Sequence, residues 1–386
     1  MNHRERFLAV ARGETPDYIP IFGFPGAPGM SGGCMKLTHD RLVETGMPAH
    51  VAGCYVNWQC RDVESWYRYW GTTGPIGLDF SLAWGEQGFK TTTRIEDGFE
   101  TIESEDGSLT RQVVNNDITY SMPEFIRFPA RDRKSWELFR ERMTPRRFMP
   151  RDEMELRCRP YDGRDMPLVI GAGGAYSTIR GLLGPAAVSL MFYDAPELLH
   201  EILDWHLDRV RRYVFPLIER LRPEALGMGE DLAYNHGMLL SPRHFHEFCG
   251  RYYREVCDCA RASGAAVVAV DSDGNVMEFA RLARSYGVNA LYPCEVKAGN
   301  DLFALREQLP DMVLLGWLEK EVINEGNEHL IEREIMRKVP PLLQKRRYFP
   351  NGDHGIQPWA TFRGMCRFMT VLHEVCGNPE GEFPRM

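Results

Sequence analysis

Five stretches of this chain end in the same way: ALGMGED (225–231), VVAVDSDG (267–274), ALYPCE (290–295), VLLGWLEK (313–320) and YFPNGDH (348–354). Each is a short apolar run that closes on acidic or imidazole side chains. Apolar runs of this length between amphipathic stretches mark strands buried on both faces, the pattern of a parallel sheet. Polar residues gathered at strand C-terminal ends are where a barrel of alternating strands and helices builds its site. The chain is therefore expected to be an α/β enzyme with a barrel of alternating strands and helices, and at 386 residues it could be one large barrel domain or two ordinary ones.

The flanking sequence fits that alternation. Helical patterns at 242–263, 275–286, 300–309, 322–345 and 359–376 separate or follow the five runs. Upstream, MPLVIGAGG (166–174) is a further strand, followed by AAVSLMFY and PELLHEILDWHLDRVRRYVFPLIERL as long amphipathic helices. Near the N-terminus, HRERFLAVAR (3–12) has apolar residues at helical spacing and stops at Gly13, so YIPIFGF (18–24) is expected as the first strand and GLDFSLAW (77–84) as the second. Between 88 and 128 the period changes to two, with turn signals at Asp97-Gly98 and Asp106-Gly107. That segment is expected to be a β-meander inserted in the barrel. Residues 129–165, with a helix at 132–143 and an arginine-rich stretch after it, are expected as a surface excursion whose arginines form a solvated basic face. FPGAPGMSGG (24–33) is either a plain flexible loop or a substrate lid.

Composition narrows the partners. With 386 residues and 44% hydrophobic side chains the chain can bury a full core. A formal net charge of −8 gives no global basic field, which argues against nucleic acid or an anionic membrane and for a small molecule. The ten cysteines show neither a disulfide framework nor paired metal-type CxxC motifs. They read as reduced thiols, and with no apolar export segment or membrane-length run the expected location is the cytoplasm.

At a barrel mouth, Glu230 with Asp231, Asp271 with Asp273, Cys294 with Glu295, and Asp353 with His354 would converge. Carboxylates brought together raise one another's pKa, which suits proton transfer, or else they recruit a divalent cation. His354, between Gly352 and Gly355, is the leading candidate, because imidazole exchanges protons near neutral pH. The expected catalytic set is His354, Asp273, Asp271 and Glu230. Asp271, Asp273, Glu295, Cys294 and His354 are the candidate metal ligands, with packing the more ordinary role for the Cys294 thiol. For substrate binding, Arg180 is a candidate carboxylate partner, or alternatively a brace at the barrel rim. Glu295, Tyr176, Trp84 and Trp317 are the remaining candidates, core packing being the alternative for the three aromatics. GGAYSTIRGLLG (173–184) opens a helix whose N–H groups could hold an anion, but it lacks the P-loop Lys-Ser/Thr.

Taken in order, RERFLAVARGETPDYIPIF (4–22), GGAYSTIRGLLG (173–184), VDSDGNV (270–276), YPCEVKAGNDL (292–302), LGWLEKEVINEG (315–326) and YFPNGDHGIQP (348–358) resemble the uroporphyrinogen decarboxylase superfamily. That superfamily includes the tetrapyrrole decarboxylase and the corrinoid-linked methyltransferases. The resemblance implies a single (β/α)8 TIM-type barrel domain over 1–386 with its site at the C-terminal mouth, and members that often form homodimers. His354-Gly355 is similar to the decarboxylase's last-loop His-Gly, but FGFPGAPGMSGG has no arginine where that enzyme clamps its polyacidic substrate. The methyltransferase branch holds zinc with a His-x-Cys pair and a later Cys; the matching positions here are Asp271-Ser272-Asp273 and the Asp353-His354 loop. Any zinc or other divalent ion would thus be held by oxygen and imidazole.

The resemblance therefore implies a divergent methyltransferase-like branch. Its members demethylate a small substrate and pass the methyl group to a corrinoid carried by a partner protein. Two alternatives stay open: a cofactor-independent decarboxylase (a carboxy-lyase) acting on a tetrapyrrole or a smaller acid, and a noncatalytic corrinoid or tetrapyrrole binder.

Overall fold

The computed structural model describes residues 1–26, 34–51, 62–76, 90–114, 123–144 and 149–386. The N-terminal part contributes α1 (His3–Arg12), α2 (Lys36–Glu44) and α3 (Val63–Trp70). In α1 the Asn2 side chain accepts from the Glu5 backbone N–H and Glu5 returns the bond, a capping box, and Gly13 at φ +76° ends the helix. Next come four strands, β1 (Thr92–Glu96), β2 (Phe99–Glu103), β3 (Leu109–Val113) and β4 (Glu124–Arg127), paired antiparallel in chain order. They form the inserted meander, and the period-two segment turns at Asp97-Gly98 because both residues take positive φ. The excursion that follows is helical, α4 (Arg133–Met143) and α5 (Arg151–Cys158). Its arginines are largely exposed and pair with acids, as Arg133 and Arg140 do with Glu201.

The remaining elements alternate: β5 (Val169–Gly171), α6 (Ala175–Leu183), α7 (Pro185–Asp194), α8 (Pro196–Leu221) and β6 (Ala225–Gly229). A two-residue hairpin, β7 (Ala233–Tyr234) with β8 (Gly237–Met238), follows β6. Then come α9 (Pro242–His244), a single π-helical turn, α10 (Gly250–Ala262), β9 (Val267–Asp271), α11 (Met277–Tyr286) and β10 (Ala290–Tyr292). The chain ends with α12 (Leu302–Gln308), β11 (Val313–Leu318), α13 (Glu321–Glu325), α14 (Glu328–Gln344), β12 (Tyr348–Gly352) and α15 (Phe362–Cys376). Among the described residues β5, β6, β9, β10, β11 and β12 form one parallel sheet in that spatial order. All six residues of β11 and all five of β12 are buried, as strands covered on both faces must be.

Beyond β5 the sheet is continued by single parallel bridges, Ile76 with Leu168 and then Thr73 with Phe22. Phe22 O in turn accepts from Asn351 Nδ2 of β12 at 2.9 Å. The first strand expected at 18–24 is thus reduced to a bridge. Pro20 and Pro25 lack the N–H a ladder needs, and Gly23 takes a positive φ of 74°. The strand expected at 77–84 lies outside the described residues, and the bridging residue is Ile76, just before it.

A small core closes one end of the sheet. Phe7, Val10 and Ala11 of α1 pack on Ala225, Val267, Ala290 and Val313, the first residues of four strands, with Phe7 stacked 5.0 Å from Phe349. Each of the buried Phe and Val side chains contributes about 1.5–3 kcal/mol. With the strand N-termini plugged by α1, the opposite rim is left for a site. Beside the plug, Glu224 is 3% exposed and accepts from Arg4, Arg164 and the Leu168 N–H. No described helix is long and apolar enough to cross a membrane.

Candidate active site at the strand C-termini

The C-terminal ends of β6, β9, β10 and β12 surround a cavity of about 220 Å³. Its walls carry Glu230, Asp231, Asp271, Asp273 and His354, together with Ser177 and Arg180 of α6 and Tyr292. Five titratable side chains reach one space because each follows directly on a parallel strand whose neighbours end at the same level, the register pairing Gly229 with Asp271 and Asp271 with Tyr292.

His354 and Asp273 are ion-paired, Nε2 to Oδ1, at 3.5 Å. The hydrogen bond between them raises the imidazole pKa and lowers that of the Asp273 carboxyl, so the pair favours imidazolium with carboxylate. Glu295 joins them: one ligand atom from each of Asp273, Glu295 and His354 can be chosen so that all lie within 4.8 Å of one another. Lys320 Nζ stands 3.9 Å from Glu295.

Backbone contacts fix this group. Glu295 Oε2 accepts from the Gly274 N–H at 2.9 Å, and Asn300 Nδ2 donates to the carbonyls of both Gly274 and Glu295. Asp353, 3% exposed, accepts from the N–H groups of Val296 and Lys320. It therefore ties the loop after β12 to the loops after β10 and β11. Lys320 and Asn300 were not singled out as site residues from sequence, and Asp353, placed there at the mouth beside His354, was given no bracing role. An acceptor of backbone N–H groups has no spacing signature, although Asp353 adjoins the favoured His354.

Asp271 opens onto the cavity with solvent at one side. Enclosure by the walls, then repulsion from Asp273 and Asp231, raises its pKa to about 7, and His354 opposes the shift. The carboxyl thus keeps its proton through the mildly acidic range and releases it as the pH rises through neutrality. This raised pKa favours the folded state below the ordinary carboxylate range, a contribution that fades as the pH rises to about 7. A catalytic step that draws a proton from Asp271 should show a limb falling above pH about 7, and Asp271→Asn should remove that limb. An unchanged pH profile in the variant would exclude Asp271 as the donor.

Glu230 is 1% exposed and its oxygens are committed. Oε1 accepts from the Ala175 N–H and the Tyr253 hydroxyl and Oε2 from the Ser177 N–H, all at 2.8 Å. Burial raises its pKa and the three donors oppose the rise. The anion that the first turn of α6 was suited to hold is thus a side chain of the protein itself. The approach is close enough to require glycine: a Cβ on Gly174 would lie 2.5 Å from Glu230 Cδ and 2.6 Å from Oε2. Gly174→Ala is expected to cost about 1–3 kcal/mol by overpacking, read as a lower urea midpoint at unchanged slope.

The other sequence candidates are distributed differently. Arg180 lines the cavity but its Nη2 donates to Asp231 at 3.0 Å, the rim-bracing arrangement. Tyr176 is 1% exposed, in the core, where burial raises its hydroxyl pKa. Trp317, 5% exposed, gives its Nε1–H to Asn300 O at 2.7 Å and supports the Asn300 loop without lining the cavity. Trp84 lies outside the described residues. Cys294 is fully buried, its Sγ is 3.8 Å from Leu291 O, and burial pushes the thiol up to about 12; it stands outside the Asp273, Glu295, His354 group.

A parallel sheet plugged at one end and ringed at the other by carboxylates, an imidazole and an ammonium is the layout of an α/β enzyme. Residues 157–375, more than half the chain, match the uroporphyrinogen decarboxylase (URO-D) family, and the chain belongs to that family. Among solved structures it is similar to a methyltransferase from Methanosarcina mazei, with a TM-score of 0.61 and 15% identity over 97% of this chain and 99% of that one. No curated protein sequence matches it significantly.

Proposed function

We propose that this member of the family is a methyltransferase that demethylates a small methylated substrate and delivers the methyl group to a corrinoid carried by a separate protein, within a complete (β/α)8 barrel. The observation that carries this reading is the Asp273, Glu295, His354 group, whose ligand atoms converge within 4.8 Å at the edge of a cavity of about 220 Å³. The likeness to a solved methyltransferase supports the fold on which the reading rests.

The donor set tests which metal would suit. Two carboxylates and one imidazole fit a divalent cation such as zinc with three protein ligands, whereas a thiolate site does not fit, since Cys294 is a buried neutral thiol. When bound, such an ion would act as a Lewis acid toward the heteroatom that bears the methyl group. Demethylation leaves that heteroatom with a developing negative charge. Asp271, protonated up to about pH 7, can supply a proton to it; in the metal-free protein His354, held as imidazolium by Asp273, can stabilise it electrostatically. The Arg180–Asp231 pair borders the same space and restricts access.

The raised pKa of Asp271 also favours a second reading, a cofactor-independent decarboxylase of a small acid, in which Asp271 protonates the carbanion left by carbon dioxide. The assay that separates the two is a screen of methylated substrates with and without a corrinoid acceptor. Methyl transfer that needs the acceptor supports the first. Carbon dioxide release by the protein alone replaces it with the second.

A further inference from the structure

A second cavity, of about 320 Å³, lies on the other side of α6, between that helix, α4 and α8. Only the first turn of α6 separates it from the strand-end cavity, with Ser177 bordering both. Two polar side chains of α8 face it, His206 and Arg209, which are 7% and 6% exposed. Neither ring nitrogen of His206 has a hydrogen-bond partner among the described residues. The imidazole is stacked on Tyr252, ring centroids 5.1 Å apart, so it is fixed in place by one face while its edge is unsatisfied. A buried polar group left in this way is destabilising, which something in the cavity has to offset.

We propose that this cavity is a ligand site for a small organic acid, a carboxylate on an apolar body. The positive end is set by Arg209, whose guanidinium lies 4.7 Å above the Trp205 ring. Burial lowers its pKa to about 10, so it remains a cation at neutral pH. His206, whose pKa burial depresses to about 3, is neutral there and offers one N–H donor and one acceptor. A carboxylate can accept from the guanidinium and the imidazole N–H together, which an amine or a metal cation cannot. The one carboxylate at the rim among the described residues, Asp106, is engaged by the Ser108 N–H and hydroxyl in its own turn. Phe139 and Leu182 supply the wall for the apolar body. The site is distinct from the Asp273 group. It adjoins the turn that Glu230 grips, so occupancy would be felt at the wall of the first cavity.

The experiment titrates the full chain with sodium benzoate and, separately, with benzamide, which has the same shape without the charge. Calorimetry is expected to give one benzoate per chain, with benzamide weaker by at least about tenfold. His206→Phe keeps the stacked ring and Arg209→Met keeps the stem; each should weaken benzoate by about tenfold or more. The wild-type His206 ring resonance should shift on titration, a readout that needs no variant. Asp273→Ala with His354→Ala should bind benzoate as the wild type does. The proposal is overturned if benzoate gives neither heat nor a His206 shift at roughly 10 mM. It is equally overturned if binding is unchanged by both α8 substitutions, or is lost with the Asp273 and His354 substitutions instead. Any of these results would leave the cavity holding water only.

Discussion

Protein purified without chelator is expected to carry close to one equivalent of a divalent metal, and the Asp273→Ala, His354→Ala double variant to carry none. The two side chains come from different loops and their ligand atoms, with one from Glu295, fall within 4.8 Å, so removing both leaves a single carboxylate. Loss of an outer-shell partner alone costs about 10–100-fold in metal affinity, and loss of two of three ligands exceeds that. Turnover should fall by about 10²–10⁴-fold, the contribution of positioned acid–base groups, because the variant loses two metal ligands and, where no metal is bound, the His354–Asp273 pair as well. Elemental analysis with cobalt(II) titration measures the first effect. A wild-type protein as metal-free as the variant would remove the metal from the proposal and leave proton chemistry by Asp271 and His354.

The largest effect on stability is expected far from the site, at Glu224. Glu224→Ala leaves the Arg164 guanidinium, its side chain 8% exposed, without its carboxylate, and leaves the Leu168 N–H without an acceptor. Breaking a buried pair in this way costs about 3–5 kcal/mol. Burial alone would raise the Glu224 pKa, but the hydrogen bonds from Arg164, Leu168 and Arg4 bring it below the usual value. Its contribution is therefore present above the ordinary carboxylate range and lost as the pH falls through the depressed value. Urea unfolding of wild type and variant should differ most near neutrality and converge in acid. A loss below about 1 kcal/mol near neutrality would show that the cluster is no more than a surface pair.

The five strands that end at the site rim were legible because a strand buried on both faces cannot hide its composition: VLLGWL and VVAVD have almost no polar side chains to confuse the period. The first strand position was misjudged for the opposite reason. YIPIFGF has the right hydrophobicity, yet backbone chemistry at Pro20 and Gly23 limits it to a bridge. In the site, the sequence gathered the acidic residues at one rim, since the C-terminal tips of neighbouring parallel strands end at the same edge of the sheet. It could not assign Glu230 to gripping α6 or Trp317 to bracing Asn300, because both roles are contacts with backbone atoms 17 to 55 positions away in sequence. The same limit hid Asn300 and Lys320.

Asp353 joins three consecutive loops through two backbone N–H groups, and Asn300 and Glu295 clamp the loop after β9 to them. Half of the rim is thus a single rigid jaw carrying the reactive groups. On the opposite half, among the described residues, Phe22, Cys34, Thr73 and Ile76 are joined to the sheet by isolated bridges. Selection for a new substrate can rework that half, residue by residue, while the spacing of Asp273, Glu295 and His354 stays as it is. Homologues with different substrates should therefore superpose closely on one side of the mouth and diverge on the other.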